Sequence, residues 1–189
     1  MPSINLPYTF PSPLRTERLT LRTMRPADVD DVHAYQSRED VCRYLPFEPR
    51  DRDVVAEKVA KYAGATTLAK DGDYWQLAVE RDGRVIGDLY FTIASAESAG
   101  GEIGWSMHPD HHGHGYMTEV ATAVLEIAFK TIALHRVRAV LDPRNAASIA
   151  LCKRLGMREE AYFVEDLWFK GEWGDTGIYA ILDHEWAAR

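Results

Sequence analysis

The amino-acid sequence predicts a single domain of the α+β class, in which helices flank a mixed β-sheet. The chain has 189 residues, a length that fits one domain with a sizeable core. Between residues 102 and 156, a strand, a helix, a second strand and a second helix follow one another, which predicts a parallel pair of strands at 102–108 and 136–141. Antiparallel hairpins are predicted on both sides of this unit.

The individual strands are predicted from runs of apolar residues, several of which alternate with polar ones. Asp82-Gly83 is a strong hairpin signal for the first hairpin, and the second turns at residues 170–174. Gly87, inside an otherwise apolar strand, indicates a bulge or a close approach of another backbone. The predicted strands span residues 14–24, 74–80, 85–93, 102–108, 136–141, 160–169 and 175–181, and the predicted helices begin near Pro26, Asp51 or Asp53, Val120 and Asn145.

The composition is that of an ordinary globular protein, with 46% apolar and 27% charged residues. No apolar run approaches the roughly 18 residues that a membrane-spanning helix needs, so no membrane partner is expected. A net charge of −7 argues against nonspecific binding of nucleic acid. Cys42 and Cys152 give no disulfide framework and predict a reducing, cytoplasmic location. Residues 1–13 contain four prolines and are predicted to form an extended N-terminal arm.

A glycine-rich turn joins the predicted strand at 102–108 to the helix that follows. Gly113 and Gly115 remove two Cβ atoms at a place where they would shield backbone N–H groups. The first turn of a helix leaves N–H groups without partners, and the helix dipole places partial positive charge there. The segment His108–Glu119 therefore predicts a cradle for a phosphate or pyrophosphate. A tight turn that merely needs glycine is the alternative.

Two common phosphate-binding loops do not fit this turn. Tyr116 and Met117 stand where a Walker loop needs Lys and Ser or Thr, and Thr118 stands where a dinucleotide fingerprint needs its third glycine. A second helix begins at Asn145 after an intervening strand. This arrangement predicts a cofactor that is held by one loop and contacted again from a second helix.

The frame His112-Gly-His-Gly115-Tyr-Met117, followed by the segment Asn145–Met157, resembles the GNAT superfamily of acyl-CoA-dependent N-acetyltransferases. The family signature is Gln/Arg-x-x-Gly-x-Gly/Ala, and here His and Met occupy its outer positions. The segment Arg15–Arg22 and the late residues Trp173, Tyr179 and Trp186 resemble the branch that contains ribosomal-protein N-terminal acetyltransferases. The resemblance implies one N-acetyltransferase domain over residues 14–189, with a mostly antiparallel seven-stranded sheet and a splayed central parallel pair.

The resemblance also implies acetyl-CoA as cosubstrate, no metal, and an amine acceptor, either a protein N-terminal α-amine or a small molecule. The pantetheine arm would enter the gap between the splayed strands, and residues 38–50 would help to wall the acceptor cleft. Six basic residues are expected to face the cofactor phosphates, with a solvated basic face as the alternative: Arg136, Arg138, Arg144, Lys153, Arg154 and Arg158. The expected cofactor-binding residues are Ser106, Met107, His108, His112, Gly113, His114, Gly115, Tyr116, Met117, Thr118, Asn145 and Ser148.

Four residues are candidates for the chemistry of acetyl transfer. The N–H of Met107 is the candidate oxyanion donor. Glu102, a carboxylate on an otherwise apolar strand, is the candidate general base through a water, with a solvated strand end or an ion pair as the alternative. Cys152 is the candidate general acid, because it occupies the position where many family members carry a Tyr, although an inert core thiol would also explain it. Ser148, one turn earlier, is the alternative partner of the sulfur.

Two other functions remain open at this level. His108, His111, His112 and His114 form a dense group that could bind a metal, although they lack the i, i+4 spacing that makes two rings converge on a helix. A noncatalytic acyl-CoA-binding module would keep the fold and lack the acid. The late strands with Trp168, Trp173 and Trp186 could support a homodimer.

Overall fold

A computed structural model describes residues 4–189 as one mixed sheet covered by helices on both faces. The first three residues of the predicted arm lie outside this range. Across residues 4–189, no helix has both the length and the apolar character that a membrane crossing requires. The strands are β1 (Tyr8–Thr9), β2 (Leu14–Arg15), β3 (Thr20–Thr23), β4 (Thr67–Leu68), β5 (Tyr74–Arg81), β6 (Arg84–Ser95), β7 (Gly100–Met107), β8 (Arg136–Leu141), β9 (Arg158–Phe169) and β10 (Glu172–Leu182).

The main sheet has eight strands in the order β2-β3-β5-β6-β7-β8-β10-β9, and β1 pairs with β4 in a separate two-stranded sheet. Every neighbouring pair in the main sheet is antiparallel except β7 and β8. The fold class, the parallel pair and both hairpins are thus as predicted. The eighth strand arises because the predicted strand at 14–24 turns back on itself, with the Thr16 N–H and hydroxyl donating to the Leu19 carbonyl.

The helices form two layers, because residues of one strand alternate between two apolar clusters. On β5, Trp75 and Leu77 pack with α4, α5 and α6, whereas Ala78 packs with α1 and α3. The helices are α1 (Val29–Gln36), α2 (Glu39–Cys42), α3 (Arg52–Ala63), α4 (Tyr116–Glu126), α5 (Ala146–Arg154) and α6 (Asp183–Ala187). The C-terminal hairpin carries the edge strand β9, whose side chains are mostly exposed.

The parallel pair opens into a wedge. β7 and β8 are paired only at Gly100–Glu102 against Arg136–Arg138, although β7 continues to Met107 and β8 to Leu141. The N–H of His108 donates to the Ile86 carbonyl of β6 at 2.9 Å. Because successive residues of a strand direct their backbone groups to opposite sides, the N–H of Met107 is directed away from β6, into the opening.

Gly87 on β6 marks a close approach and also stands beside a bulge, since the register against β5 shifts between Gly87 and Val85; both alternatives predicted for it are observed. A Cβ atom built at this glycine would lie 2.5 Å from the Ser106 carbonyl oxygen and 3.0 Å from the Met107 Cα. Any larger residue would therefore force β6 and β7 apart beside the wedge. Glycine at this position lets the two strands hold Met107 where the sheet opens.

The described part of the N-terminal arm packs against the domain. Tyr8–Thr9 pairs with Thr67–Leu68, and the ring of Phe10 lies edge-on to Trp75 with 5.1 Å between ring centroids. Phe10 is buried in the main apolar cluster. A domain boundary at residue 14 stays a prediction.

Candidate active site

A cavity of about 510 Å³ lies where β7 and β8 separate. Four segments surround it: the open end of β7, the glycine-rich turn with the start of α4, the first turns of α5, and the region of α2. The lining residues are Asp40, Val41, Tyr44, Leu45, Trp105, Ser106, Met107, His111, His112, Gly113, Gly115, Tyr116, Met117, Thr118, Asn145, Ala147, Ser148, Leu151 and Arg154. The cavity joins the turn that predicts a phosphate cradle to the predicted acceptor wall at 38–50.

The glycine-rich turn leaves its amides open. Gly113 and Gly115 adopt φ angles of 78° and 76°, a left-handed conformation that favours glycine. The first helical bond of α4 runs from the Glu119 N–H to the Gly115 carbonyl at 3.0 Å. Within residues 4–189, no group accepts a hydrogen bond from the N–H of any residue from 113 to 118. Such a row of unpaired donors at a helix start is suited to an anion.

Arg18 fixes this turn from a distant part of the sequence. Its Nε donates to the Glu119 carboxylate at 2.8 Å, its Nη1 donates to the His114 carbonyl at 2.9 Å, and its guanidinium lies 4.8 Å from the Tyr116 ring centroid. Burial would raise the pKa of Glu119, but hydrogen bonds from Thr16 and Arg18 outweigh it and hold that pKa below its usual value. The Arg15–Arg22 segment, noted above only for its family resemblance, therefore supports the start of α4.

His112 also stabilises the end of β7. Its Nε2 lies 3.0 Å from the Met107 carbonyl oxygen. Since a carbonyl can only accept, Nε2 carries the proton. The carbonyl of Met107 is thus engaged, whereas its N–H faces the wedge. These positions agree with the predicted place of Met107 beside the opening.

The remaining histidines have separate surroundings. The Nδ1 of His108 accepts from the Asp110 N–H at 3.2 Å, and the ring of His114 stacks on Tyr116 at 5.3 Å. His111 lines the cavity, and burial lowers its pKa. Within the described residues, no three His, Cys, Asp or Glu side chains are grouped as metal ligands would be. The metal alternative therefore has no preformed ligand cluster in this part of the chain.

Helix α5 presents two of its predicted residues to the cavity. The side-chain oxygen of Asn145 accepts from the Ser148 N–H at 3.1 Å and so caps the helix. The hydroxyl of Ser148 accepts from the Trp105 indole N–H at 3.1 Å. Cys152, one turn further, is fully buried outside the cavity lining, and burial raises the pKa of its thiol to about 12. Of the two candidate acids, Ser148 is the one that lines the cavity.

Glu102 forms an ion pair with Arg138, at 2.9 Å between carboxylate and guanidinium. This pair joins the last paired residues of β7 and β8, just before the wedge opens. The structural alternative raised for Glu102 is thus observed. Because Glu102 does not line the cavity, its role as a base stays a prediction without direct access to a substrate.

The prediction that six basic residues face the cofactor phosphates needs correction. Only Arg154 of the six residues lines the cavity, with its Nε 3.2 Å from the Thr118 hydroxyl. Four others are held by carboxylates on the sheet and the C-terminal segments. These ion pairs are Arg136–Glu160, Arg138–Glu102, Arg144–Asp142 with Glu172, and Arg158–Glu160 with Glu185. Backbone amides, rather than a basic patch, dominate the cradle.

Sequence reasoning missed one group beside the cavity. Asp88 on β6 is buried, with 4% of its surface exposed, and it accepts a hydrogen bond from the Ser106 hydroxyl at 2.7 Å. The signal was available, since Asp88 is a carboxylate within the apolar run Val85–Ile93. Of the carboxylates within apolar strands, only Glu102 was predicted to have a function.

The fold and the cavity together define a class of transferase. A splayed parallel pair leaves backbone groups unpaired, and the unpaired amides of the adjoining turn are suited to an anion. The other end of the cavity is walled by side chains from α2 and the residues after it. Together with the resemblance noted from the sequence, this arrangement indicates an acyltransferase.

Comparisons with known proteins specify the family. Residues 18–158 match the family described as Acetyltransferase (GNAT) domain. The chain is 32% identical over 173 residues to the uncharacterized N-acetyltransferase YnaD of Bacillus subtilis, covering 92% of this chain and 98% of that protein. It is also 32% identical over 178 residues to the ribosomal protein uS5-alanine N-acetyltransferase of Escherichia coli, covering 92% of both. A GNAT-family acetyltransferase structure from Bacillus anthracis matches with a TM-score of 0.80 and 31% identity, covering 90% of this chain and 98% of that one.

The chain belongs to the GNAT family and is an acetyl-CoA-dependent N-acetyltransferase. The resemblance to the family noted from residues 112–117 and 145–157 is confirmed. The match to the ribosomal-protein enzyme supports the further resemblance of the Arg15–Arg22 segment to that branch.

Proposed function

We propose that this enzyme transfers an acetyl group from acetyl-CoA to one primary amine, by direct attack of the amine within a ternary complex. The observation that carries the proposal is the continuous cavity from the open amides of 113–118, past Met107, to the wall at 40–45. Direct attack needs the donor and the acceptor in one space, and the two ends of this cavity provide it.

The open turn is the proposed site for the diphosphate of coenzyme A. A Cβ atom built at Gly113 meets nothing within 4 Å, so the space in front of these amides is open. Arg154 and Thr118 border the same space and can add a charge and a hydroxyl to the amides. These residues fit an anion that carries more than one charge.

The transfer itself needs few side chains, because the thioester is already activated. The N–H of Met107, directed into the wedge, is proposed to stabilise the oxyanion. The indole of Trp105 can only donate, so Ser148 accepts from it and keeps its own proton for another partner. We propose that Ser148 passes its proton to the leaving sulfur and takes up in return the proton that the attacking nitrogen loses as the amide forms, in preference to Cys152, which does not line the cavity.

The acceptor end favours a single amine next to an apolar group. Val41, Tyr44 and Leu45 line it, and Asp40 is the one carboxylate among the lining residues in the described part of the chain. Asp40 is paired with Arg38 at 2.8 Å, which reduces its attraction for further positive charge. A peptide N-terminus fits this wall better than a polyamine, whose several ammonium groups need several carboxylates. The E. coli relative acts, by its name, on an alanine of ribosomal protein uS5.

Thiol release from acetyl-CoA, followed by mass spectrometry of the products, tests the proposal. The panel contains an alanine-initiated peptide, the same peptide with a blocked N-terminus, spermidine and an aminoglycoside. We expect kcat/KM for the free peptide to exceed that for spermidine by at least about tenfold, a difference of about 1.4 kcal/mol. Thiol release with spermidine but not with the peptide would contradict the acceptor. Cofactor binding without release by any amine would favour the noncatalytic module.

Two further predictions from the sequence, a homodimer and a cytoplasmic location, remain predictions. β9 is the edge of the main sheet and exposes large apolar side chains, among them Val164 and Trp168, which is the surface expected of a homodimer contact. Cys42 and Cys152 are both free and buried, which is compatible with the predicted cytoplasmic location.

A further inference from the structure

The buried carboxylate of Asp88 is separated from the cavity by the hydroxyl of Ser106, and the chemistry proposed above does not use this carboxylate. Asp88 accepts four hydrogen bonds from side chains on three different elements. The donors are the Tyr35 hydroxyl at 2.6 Å, the Gln36 amide at 3.2 Å, the Gln76 amide at 2.6 Å and the Ser106 hydroxyl at 2.7 Å. So many donors converging on one carboxylate indicate that its charged form is accommodated within the core.

The network reaches the cavity through Ser106. Ser106 precedes the proposed oxyanion donor Met107 on β7, and it lines the cavity. Asp88 itself does not line the cavity. Since the Ser106 proton points to Asp88, the lone pairs of the hydroxyl remain to accept a proton from the cavity side. The two residues therefore form a directed route from the cavity to a buried base.

The charge of Asp88 is not neutralised by a direct partner. Within residues 4–189, no Lys, Arg or His forms an ion pair with it, in contrast to Glu102 with its Arg138. Arg50 makes no hydrogen bond to Asp88, and its Nη1 donates instead to the side-chain Oε1 of Gln36 at 2.8 Å. Burial raises the pKa of Asp88, and the hydrogen bonds from Tyr35, Ser106 and Gln36 together with the charge of Arg50 oppose this rise. A raised pKa brings the carboxylate closer to the pKa of an amine, which favours proton transfer.

We propose that Asp88 accepts the proton of the acceptor ammonium through the hydroxyl of Ser106, a role that rests on the proposed transfer to an amine. One N–H bond of the ammonium breaks and its proton joins the Ser106 oxygen. The proton that Ser106 held moves to Asp88 Oδ2. The amine becomes neutral with its lone pair free, and the carboxylate becomes a carboxylic acid, so protons and charge balance. The acid returns its proton to water by the reverse route after the products leave.

In this route the hydroxyl of Ser106 contacts the ammonium directly. Asp88 acts through Ser106 and receives the proton that Ser106 gives up. The titratable and charged groups that face Asp88 are Tyr35 from α1, Arg50 from the segment before α3, and Tyr62 from α3. Burial raises the pKa of both tyrosines above their ordinary value, so they stay neutral and act only as donors at neutral pH. Asp88 is therefore the proton acceptor of this network, and burial raises its pKa above that of an ordinary carboxyl.

The test compares pH profiles of kcat/KM from pH 6 to 10 with an alanine-initiated peptide. Asp88→Asn and Ser106→Ala should each lower kcat/KM by about tenfold at pH 7 and about a hundredfold at pH 6, because about a tenth and a hundredth of an α-amine of pKa roughly 8 are neutral there. The loss should shrink to less than about threefold above the pKa of the α-amine, roughly 8, because the amine then arrives deprotonated. Ser106→Ala leaves the other three donors to Asp88 in place, so it tests the route even where Asp88→Asn folds poorly.

Thr92→Val is the matched control for a structural effect. Thr92 is buried on the same strand, its hydroxyl donates to the backbone carbonyls of Asp73 and Ile93, and it does not contact Asp88 or Ser106, so its loss should cost stability and leave the shape of the pH profile unchanged. Losses that stay equal at all pH values in Asp88→Asn and Ser106→Ala would overturn the proposal. So would a pH-dependent loss confined to Glu102→Gln. Absence of transfer by the wild-type protein to any amine would instead refute the proposed function.

Discussion

At the scale of single residues, the turn at Gly113 and Gly115 was the most predictable part of the site. A left-handed φ favours glycine for local steric reasons, so the pattern is visible in the sequence of the turn itself. The partners of charged residues were not predictable in this way. Arg18 meets Glu119 across 101 positions, and Asp88 meets Tyr35 across 53. Contacts of that separation depend on the finished packing, which explains why Asp88 was missed and why the basic face was wrong.

Gly113→Asp is expected to abolish coenzyme A binding while the fold persists. The carboxylate would enter the space proposed for the diphosphate, and the left-handed conformation would cost the fold only about 1–2 kcal/mol. Isothermal titration calorimetry with coenzyme A should show at least about a hundredfold loss of affinity, about 2.7 kcal/mol.

Gly83→Asp is the matched control, because Gly83 has a φ angle of 79° and also meets nothing within 4 Å. It should lose the same stability and keep its affinity. Equal affinity for coenzyme A in both variants would remove the phosphate assignment from this turn.

At the scale of elements, the strands and helices follow from local periodicity, and most neighbours in the main sheet are also neighbours along the chain, with β10 inserted between β8 and β9 as the exception. The splay of β7 and β8 could be expected only from the family resemblance, because no residue pattern states where pairing stops. In the structure the pairing ends at the Glu102–Arg138 ion pair, and Gly87 holds β6 close to the unpaired part of β7. Cross-strand register, which decides both facts, is not encoded in either strand alone.

Gly87→Ala is expected to impair both stability and turnover. The new methyl would lie 2.5 Å from a backbone oxygen, so β7 must shift. Overpacking of this kind costs about 1–3 kcal/mol, and the shift would displace the N–H of Met107. Urea unfolding should show the first effect, and a lower kcat at similar KM for acetyl-CoA the second.

Gly104→Ala on β7 provides the comparison for this test. A Cβ atom there would lie 3.8 Å from Tyr90, an ordinary contact, so both stability and kcat should stay close to wild type. If Gly87→Ala behaved like Gly104→Ala, the close approach would have no part in positioning Met107.

At the scale of the whole molecule, the two helix layers are joined to the sheet by apolar packing and by a few buried polar contacts. Arg22 on β3 makes the most extensive of these polar contacts, and 4% of its surface is exposed. Its two Nη atoms donate to Asp28 at 2.7 and 2.8 Å, and its Nε donates to Glu80 on β5 at 2.6 Å. The hydrogen bonds that the guanidinium donates to Asp28 hold the pKa of Arg22 above its usual value despite burial. The residue therefore ties the segment before α1 to the edge of the sheet.

Arg22→Leu is expected to destabilise the protein by about 3–5 kcal/mol, because it leaves the Asp28 carboxylate buried without its cation. Arg52→Leu breaks a pair whose side chains are 58% and 77% exposed, and it should cost less than about 1 kcal/mol. Urea unfolding of both variants at neutral pH measures the contrast, and a loss for Arg22→Leu as small as that for Arg52→Leu would show that the buried pair does not hold the layers together.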